Sequence, residues 1–305
     1  MANSVLRFEQ VCKKFSTAPA RYIIHNLSFE LSGGESLGIT GPNGAGKTTL
    51  LLLAAGLLSP DRGRIGRPDD RSEGLAFLPE KENFPLRLSA RQYLSSLAAM
   101  EGLPSEAIQQ KVTGQLKRFA LLDCADQNLY SYSGGMLKRL ALASLSLRDC
   151  LLYVLDEPVD NLDPSAQGLL QDWMAEQKNR GAAILFSTHH VSGAAGLADR
   201  IMVMAEGQCA FLGTSRDFYE PASGYAIRFD QDIGALEKWL SEQTFPWHCS
   251  GSCIHLLSEE SRVREELLRM ALEHGLVPSR LEPISGSPEE SYRRILEKFR
   301  AGKGL

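Results

Sequence analysis

The chain has 305 residues, 43% of them hydrophobic and 23% charged, with 33 basic against 37 acidic side chains for a formal net charge of −4. That is apolar material for a substantial core, which excludes a disordered chain, and the mild acidity leaves no global basic footprint for nucleic acid. The longest apolar run, Leu50–Leu58, falls far short of the roughly 20 residues that span a bilayer. The start MANSVLRFEQ lacks a secretory pattern, and six scattered cysteines make no disulfide scaffold, so the expectation is a soluble intracellular protein.

Alternation predicts strands at residues 5–8 and 23–31. Ser36–Thr40 is a short apolar strand running into a glycine-rich turn, and Leu50–Leu58 reads as a buried helix, so strand, turn and helix form the first unit of an α/β fold. Leu75–Leu78 is a further strand. Residues 86–148 lack strand alternation, and Ser89 and Ser105 are candidate N-caps for helices near 90–101 and 105–120. Leu151–Leu155 is a continuous apolar run, as expected of a central parallel strand, followed by a helix at 165–179 and strands at 182–187 and 201–205. After about residue 221 the order is strand 225–229, helix 233–242, strands 244–249 and 253–257, helix 260–274, strand 276–282 and helix 288–300. This βαββαβ order predicts a small ferredoxin-like domain.

Gly41-Pro42-Asn43-Gly44-Ala45-Gly46-Lys47-Thr48 fits G-x-x-x-x-G-K-[ST] at every position. Its glycines let backbone N–H groups curl around anionic oxygens, and the following helix adds a favourable dipole. Lys47 can reach β- and γ-phosphates, and the Thr48 hydroxyl can ligate Mg²⁺. The apolar strand 151–155 delivers Asp156 and Glu157 at its C-terminal end. There Asp156 suits Mg²⁺ and Glu157 can polarise an attacking water. Ser133-Gly134-Gly135, preceded by Tyr132 and followed by Met136, reads in isolation as a flexible turn.

Together these motifs resemble the ATP-binding cassette (ABC) family of ATPases, over about residues 5–220 and in the family's order. The resemblance implies an α/β P-loop NTPase cassette, a RecA-like core with a helical subdomain at about 84–148, followed by an α/β accessory domain at 221–305. It implies ATP held by Gly41–Thr49, with Lys47, Thr48 and Thr49 on the phosphates and Phe15 stacking on adenine. Nearby Tyr22 is the competing aromatic. It implies Ser133, Gly134 and Gly135 as a signature that covers the ATP of a second cassette. Asn161-Leu162-Asp163 would be the loop at the dimer seam, with Asp163 at the pairing face, and His189 would be the switch histidine on the γ-phosphate, with His190 a bystander. Glu80 stands where the family carries a Gln that senses Mg²⁺ and the membrane partner. That substitution, with Tyr132 and Met136, is similar to the exporter branch called ABC-2 type. Asn161 stands where Gly is common, Gln92 where Glu is common, and the stretch 63–74 is short, so the antiparallel subdomain is expected to be trimmed.

In the tail, Ser287-Pro288-Glu289-Glu290-Ser291-Tyr292 resembles the segment that closes many ABC-2 ATPases. The cluster His248, Cys249, Cys253 and His255 could bind Zn²⁺ or Cu⁺. Its spacing fits no common zinc finger, and a plain hairpin with Cys249 and Cys253 facing each other across the turn is the expectation. The resemblance implies a nucleotide-binding subunit that hydrolyses Mg-ATP, pairs with a second cassette as a homo- or heterodimer, and drives separate integral membrane permease subunits through a groove near residues 80–100. Nucleic acid is not an expected partner, and the expected location is the cytoplasmic face of the cell membrane. The alternative reading is a soluble ABC ATPase acting on nucleic acid, ribosomes or protein assembly. Only one cassette is visible, and too little chain separates Glu80 from Ser133 for a coiled-coil or zinc insertion.

Overall fold

A computed structural model describes residues 4–15, 22–68, 74–81, 83–160, 162–218, 224–243, 245, 247–256, 261–283 and 287–302. Asn161 lies outside the described residues. The chain divides into two compact units, residues 1–215 with 295–305, and residues 216–294.

The first unit contains β1 (Ser4–Lys14), β2 (Tyr22–Ser32), β3 (Ser36–Thr40), α1 (Lys47–Ala54), β4 (Arg62–Gly66), β5 (Leu75–Leu78), α2 (Ala90–Met100), α3 (Ser105–Arg118), α4 (Gly134–Leu145), β6 (Leu152–Leu155), α5 (Pro164–Asn179), β7 (Ala183–Ser187), α6 (Val191–Leu197), β8 (Arg200–Ala205) and β9 (Gln208–Thr214). The short helix α7 (Ser215–Phe218) follows. The principal sheet has the order β5-β6-β7-β3-β8-β9. Its first five strands are parallel and β9 closes the edge antiparallel to β8. A second, antiparallel sheet has the order β2-β1-β4.

The apolar strands dictate this arrangement. Every residue of β3, β6 and β7 is buried, as expected where both sheet faces are covered. Leu37 and Ile39 of β3, Leu50 and Leu53 of α1, Phe8 of β1 and Leu27 of β2 meet in one core, and Phe8 stacks on Phe29 at 4.6 Å. The β8–β9 turn places Glu206 at φ 48° and Gly207 at φ 77°, the two positive φ values of a type I′ hairpin. A Cβ on Gly207 would also stand 2.4 Å from the Ile23 carbonyl oxygen.

Several boundaries differ from expectation. The strands placed at 5–8 and 23–31 extend to Lys14 and back to Tyr22, because pairing with each other and with β4 carries them through polar residues. The helix assigned to Leu50–Leu58 begins at Lys47 and ends at Ala54. Ser89 caps α2 as expected: its hydroxyl accepts from Gln92 N–H at 3.2 Å, and the Gln92 side chain accepts from Ser89 N–H at 2.9 Å. This capping box gives Gln92 a local task. Ser105 is not a cap. It is the first helical residue of α3, behind Pro104.

The second unit holds β10 (Tyr225–Phe229), α8 (Gly234–Leu240), β11 (Trp247–Ser250), β12 (Cys253–Leu256), α9 (Ser261–Glu273) and β13 (Pro278–Pro283). Its sheet order is β11-β12-β10-β13, antiparallel throughout, which is the split βαβ arrangement of a ferredoxin-like fold. Ile227, Phe229, Leu236, Leu240, Ile254 and Leu267 are among its core residues. Cys249 and Cys253 do not face each other, because Cys249 is opposite Ile254 and Cys253 opposite Ser250. His248 is directly opposite His255, their rings parallel within 6° at 4.4 Å. The last helix, α10 (Pro288–Gly302), is capped by Ser287, whose hydroxyl accepts from Glu290 N–H while Glu290 accepts from Ser287 N–H, both at 3.1 Å. Ser287-Pro288-Glu289-Glu290 is thus a helix start in its own right.

Candidate active site

Parallel pairing of β6, β7 and β3 brings their C-terminal ends to one edge of the sheet, where ligands of open α/β sheets bind. β3 ends at Thr40 and delivers the loop Gly41–Gly46, β6 delivers Asp156 and Glu157, and β7 delivers Thr188 and His189. These segments are far apart in sequence, so the sheet alone assembles them.

The loop is a cradle of backbone donors. Gly46, the N-cap of α1, has φ 102°, and a Cβ there would stand 2.8 Å from the Ile23 carbonyl oxygen. Only glycine meets both demands. The Lys47 ammonium donates to the Gly41 carbonyl at 2.8 Å. A cleft of about 340 Å³ is lined by Phe15, Ile23, Asn43, Gly44, Gly46, Lys47, Thr48, Thr49, Glu80 and Glu157. The structure therefore gathers nine of the sequence-derived candidates around one volume. Gly41, Pro42 and Ala45 complete the loop behind it. Phe15 is 43% exposed and lines the cleft, which places an aromatic ring where a planar ligand could meet it. Tyr22, the competing aromatic, faces a neighbouring cavity with Pro42, Ala45 and Glu206 and packs near His25.

Asp156 and Glu157 are almost fully buried. Ser187, wholly buried at the end of β7, joins them. Its hydroxyl donates to Asp156 Oδ1 at 2.5 Å and accepts from Glu157 N–H at 2.9 Å. Glu157 has φ 49°, a left-handed conformation that costs a non-glycine residue about 1–3 kcal/mol, so the Ser187 bond holds a strained backbone. Glu157 Oε2 then accepts from His189 N–H and meets His189 Nδ1, both at 3.0 Å. His189 Nδ1 also stands 3.5 Å from Asp160 Oδ1. Sequence reasoning assigned no role to Ser187 or Asp160. The one signal for Ser187 was a hydroxyl closing an apolar strand at the chemical edge of the sheet. For Asp160 there was none.

Thr48, Asp156 and Glu80 supply hydroxyl and carboxylate oxygens, hard donors of the kind Mg²⁺ takes. Thr48 and Glu80 line the cleft, and Asp156 directly precedes Glu157 on its edge.

The remaining candidates do not line this cleft. Ser133 is exposed and N-caps α4, accepting from Met136 N–H at 3.3 Å, and Gly134 and Gly135 form the first helical turn. The Tyr132 hydroxyl anchors the loop before them by donating to the Cys124 carbonyl at 2.8 Å, and burial pushes its pKa upward. Asp163 is exposed and caps α5. The Ala166 N–H, with the Ser165 hydroxyl, holds its carboxyl below the usual range. A helix N-terminus with an exposed glycine, Gly134, is a ready anion site, and it does not line the cleft of the chain's own phosphate loop.

The model of the family described as ABC transporter matches residues 24–160. The ABC transporter ATP-binding protein YxlF of Bacillus subtilis (strain 168), itself uncharacterized, is 30% identical over 303 residues, covering 96% of this chain and 99% of its own. The Nod factor export ATP-binding protein I of Bradyrhizobium diazoefficiens is 33% identical over 215 residues, 68% of this chain and 69% of its own. A solved ATP-binding subunit of an ABC transporter superposes with a TM-score of 0.63 at 28% identity, covering 70% of this chain and 92% of that one.

Proposed function

The chain belongs to the ATP-binding subunits of ABC transporters and is an ATPase, and from that premise we propose that it powers export through separate membrane subunits. No helix among the described residues is long and apolar enough to cross a membrane, so the path for cargo belongs to partners. Residues 1–220 act as the nucleotide-binding domain and 221–305 as an accessory domain. The chain works at the cytoplasmic face of the membrane, docked through the groove near residues 80–100, and nucleic acid is not a partner. Export is favoured over other directions by the relatives named Nod factor export ATP-binding protein I.

In this reading the Gly41–Gly46 amides and Lys47 bind the β- and γ-phosphates, Thr49 adds a hydroxyl, and Phe15 stacks on the adenine. Thr48, Asp156 and Glu80 hold Mg²⁺, which supplies charge neutralisation on the phosphate oxygens. Glu157 orients the attacking water and accepts its proton, and His189 donates to the γ-phosphate. Ser187 keeps Asp156 and Glu157 in place. Such a site works by positioning and electrostatics.

One observation carries the mechanism: Ser133 and Gly134 are exposed at the start of α4, with Gly135 half-buried behind them, and all three are absent from the cleft that holds Lys47 and Glu157. The signature completes the ATP site of a second copy, with Asp163 at the seam. Tagged Glu157→Gln protein, recovered from detergent-solubilised native membranes with Mg-ATP, tests the transport assignment. Near-stoichiometric recovery of an integral membrane protein supports it. Recovery of ribosomes, DNA or soluble assemblies alone refutes it and leaves the ATPase intact.

A further inference from the structure

We propose that Asp160, His189 and His190 form a binding site for a borderline transition-metal ion such as Zn²⁺, separate from the magnesium position, and that occupying it arrests hydrolysis. One ligand atom from each of the three lies within 4.8 Å of the other two, the one such group among the described residues. The two imidazoles are 3.9 Å apart between ring centroids and inclined by 42°. Small side-chain rotations bring such atoms to the about 3.3 Å separations of a tetrahedral site with bonds near 2.0–2.1 Å.

A second observation points the same way. Asp160 Oδ1 is buried and has no hydrogen-bond partner, and His189 Nδ1 at 3.5 Å is too distant to serve as one. A buried carboxylate oxygen without a donor is costly, and a cation at this point would satisfy it. Access is open, because Asp160 and His190 both line a cavity of about 450 Å³ with Gln167, Ser192 and Gly193. That leaves space for the water that completes a three-residue coordination shell.

Ligand chemistry selects the ion. Two imidazole nitrogens and one carboxylate oxygen form an open zinc set. Imidazole favours Zn²⁺, Co²⁺ and Ni²⁺, whereas Mg²⁺ takes oxygen, so the ion of hydrolysis does not compete. The adjacent histidine pair gives this chain the second nitrogen, a role for His190 that its phosphate chemistry does not require.

The arrest rests on the proposed contact of His189 with the γ-phosphate. A metal on the His189 ring holds the side chain that this contact needs free. Binding itself does not depend on that reading.

The test is calorimetric titration of Zn²⁺ into the metal-stripped, nucleotide-free full chain, with Mg-ATPase rates measured in parallel at buffered free Zn²⁺. His190→Ala, an exposed position, is expected to weaken Zn²⁺ binding about tenfold or more while keeping the wild-type rate without Zn²⁺. Asp160→Asn is expected to weaken it comparably. Zn²⁺ should then slow wild-type hydrolysis and leave His190→Ala unaffected. Unchanged Zn²⁺ affinity in both variants overturns the site, as does a loss seen instead in a His248→Ala, His255→Ala protein. Binding that depends on Asp160 and His190 but leaves hydrolysis at full rate supports the site and overturns the role of His189.

Discussion

Replacing Ser187 with Ala removes one hydroxyl and leaves two buried groups exposed to its loss. The Asp156 carboxylate forfeits a 2.5 Å donor and the Glu157 N–H forfeits a 2.9 Å acceptor, in a place where Ser187 is 0% exposed and water does not substitute. A hydrogen bond to a charged group contributes about 1.5–3 kcal/mol and a stranded buried N–H costs about 1–3 kcal/mol, so the sum is about 2.5–6 kcal/mol. The left-handed Glu157 backbone, no longer held, relaxes and carries its carboxylate away from the place proposed for the attacking water. A misplacement of about 1 Å lowers turnover about 10²-fold. Urea denaturation followed by phosphate-release kinetics measures both effects, and Ser187→Thr, which keeps the hydroxyl, should recover more turnover than Ser187→Ala. A Ser187→Ala protein within about 0.5 kcal/mol of wild type and with unchanged kcat would refute the bridge as the element that sets the carboxylates.

Three further outcomes are expected. Glu157→Gln should lower kcat about 10²–10⁴-fold while ATP binding persists in a filter assay, because the phosphate cradle is untouched. Gly46→Ala should destabilise the protein by about 1–3 kcal/mol and weaken ATP binding, since φ 102° and the Ile23 carbonyl both oppose a Cβ, as thermal denaturation with and without ATP would record. Burial pushes the Asp199 carboxyl up, but the Lys178 hydrogen bond and charge, with donors from Ser36, outweigh it and hold the pKa below its ordinary value. A depressed folded pKa gives stability that is full above the unfolded value of about 3.9 and is lost as pH falls through the folded one. Asp199→Asn should therefore flatten the acid limb of the stability–pH curve below about pH 4, as denaturation midpoints across pH would reveal.

The sequence was most legible where local pattern and chemistry coincide. Apolar runs ending in chemical residues marked β3, β6 and β7, because a strand covered on both faces has a continuous signal. β4 left no such mark: Arg62–Gly66 is mostly exposed and carries two glycines, and its strand character comes from pairing with β1. β9 is only partly buried along most of its length and depends on the Glu206-Gly207 turn. In the second unit, periodicity and turns gave the βαββαβ order, but the cysteine geometry followed from a register that a hairpin sequence does not state. In the site, the phosphate loop and Asp156-Glu157 were readable as motifs. The Ser187 bridge and the approach of Asp160 to His189 were not, because each joins residues about thirty positions apart through strand alignment alone.

Completion of each ATP site by a second copy is the claim most directly open to measurement. Lys47→Ala disables the phosphate cradle. Gly134→Asp places a carboxylate in the signature, where a Cβ meets nothing within 4 Å and the α4 N-terminus favours a negative charge, so the fold tolerates it and a triphosphate does not. Each variant alone should lack ATPase activity. Mixed in equal amounts, half the dimers pair one of each, and one site in those dimers has both an intact cradle and an intact signature, so about a quarter of wild-type turnover should return. A mixture that stays inactive, or a Gly134→Asp protein that hydrolyses ATP at the wild-type rate by itself, would contradict a site shared between two chains.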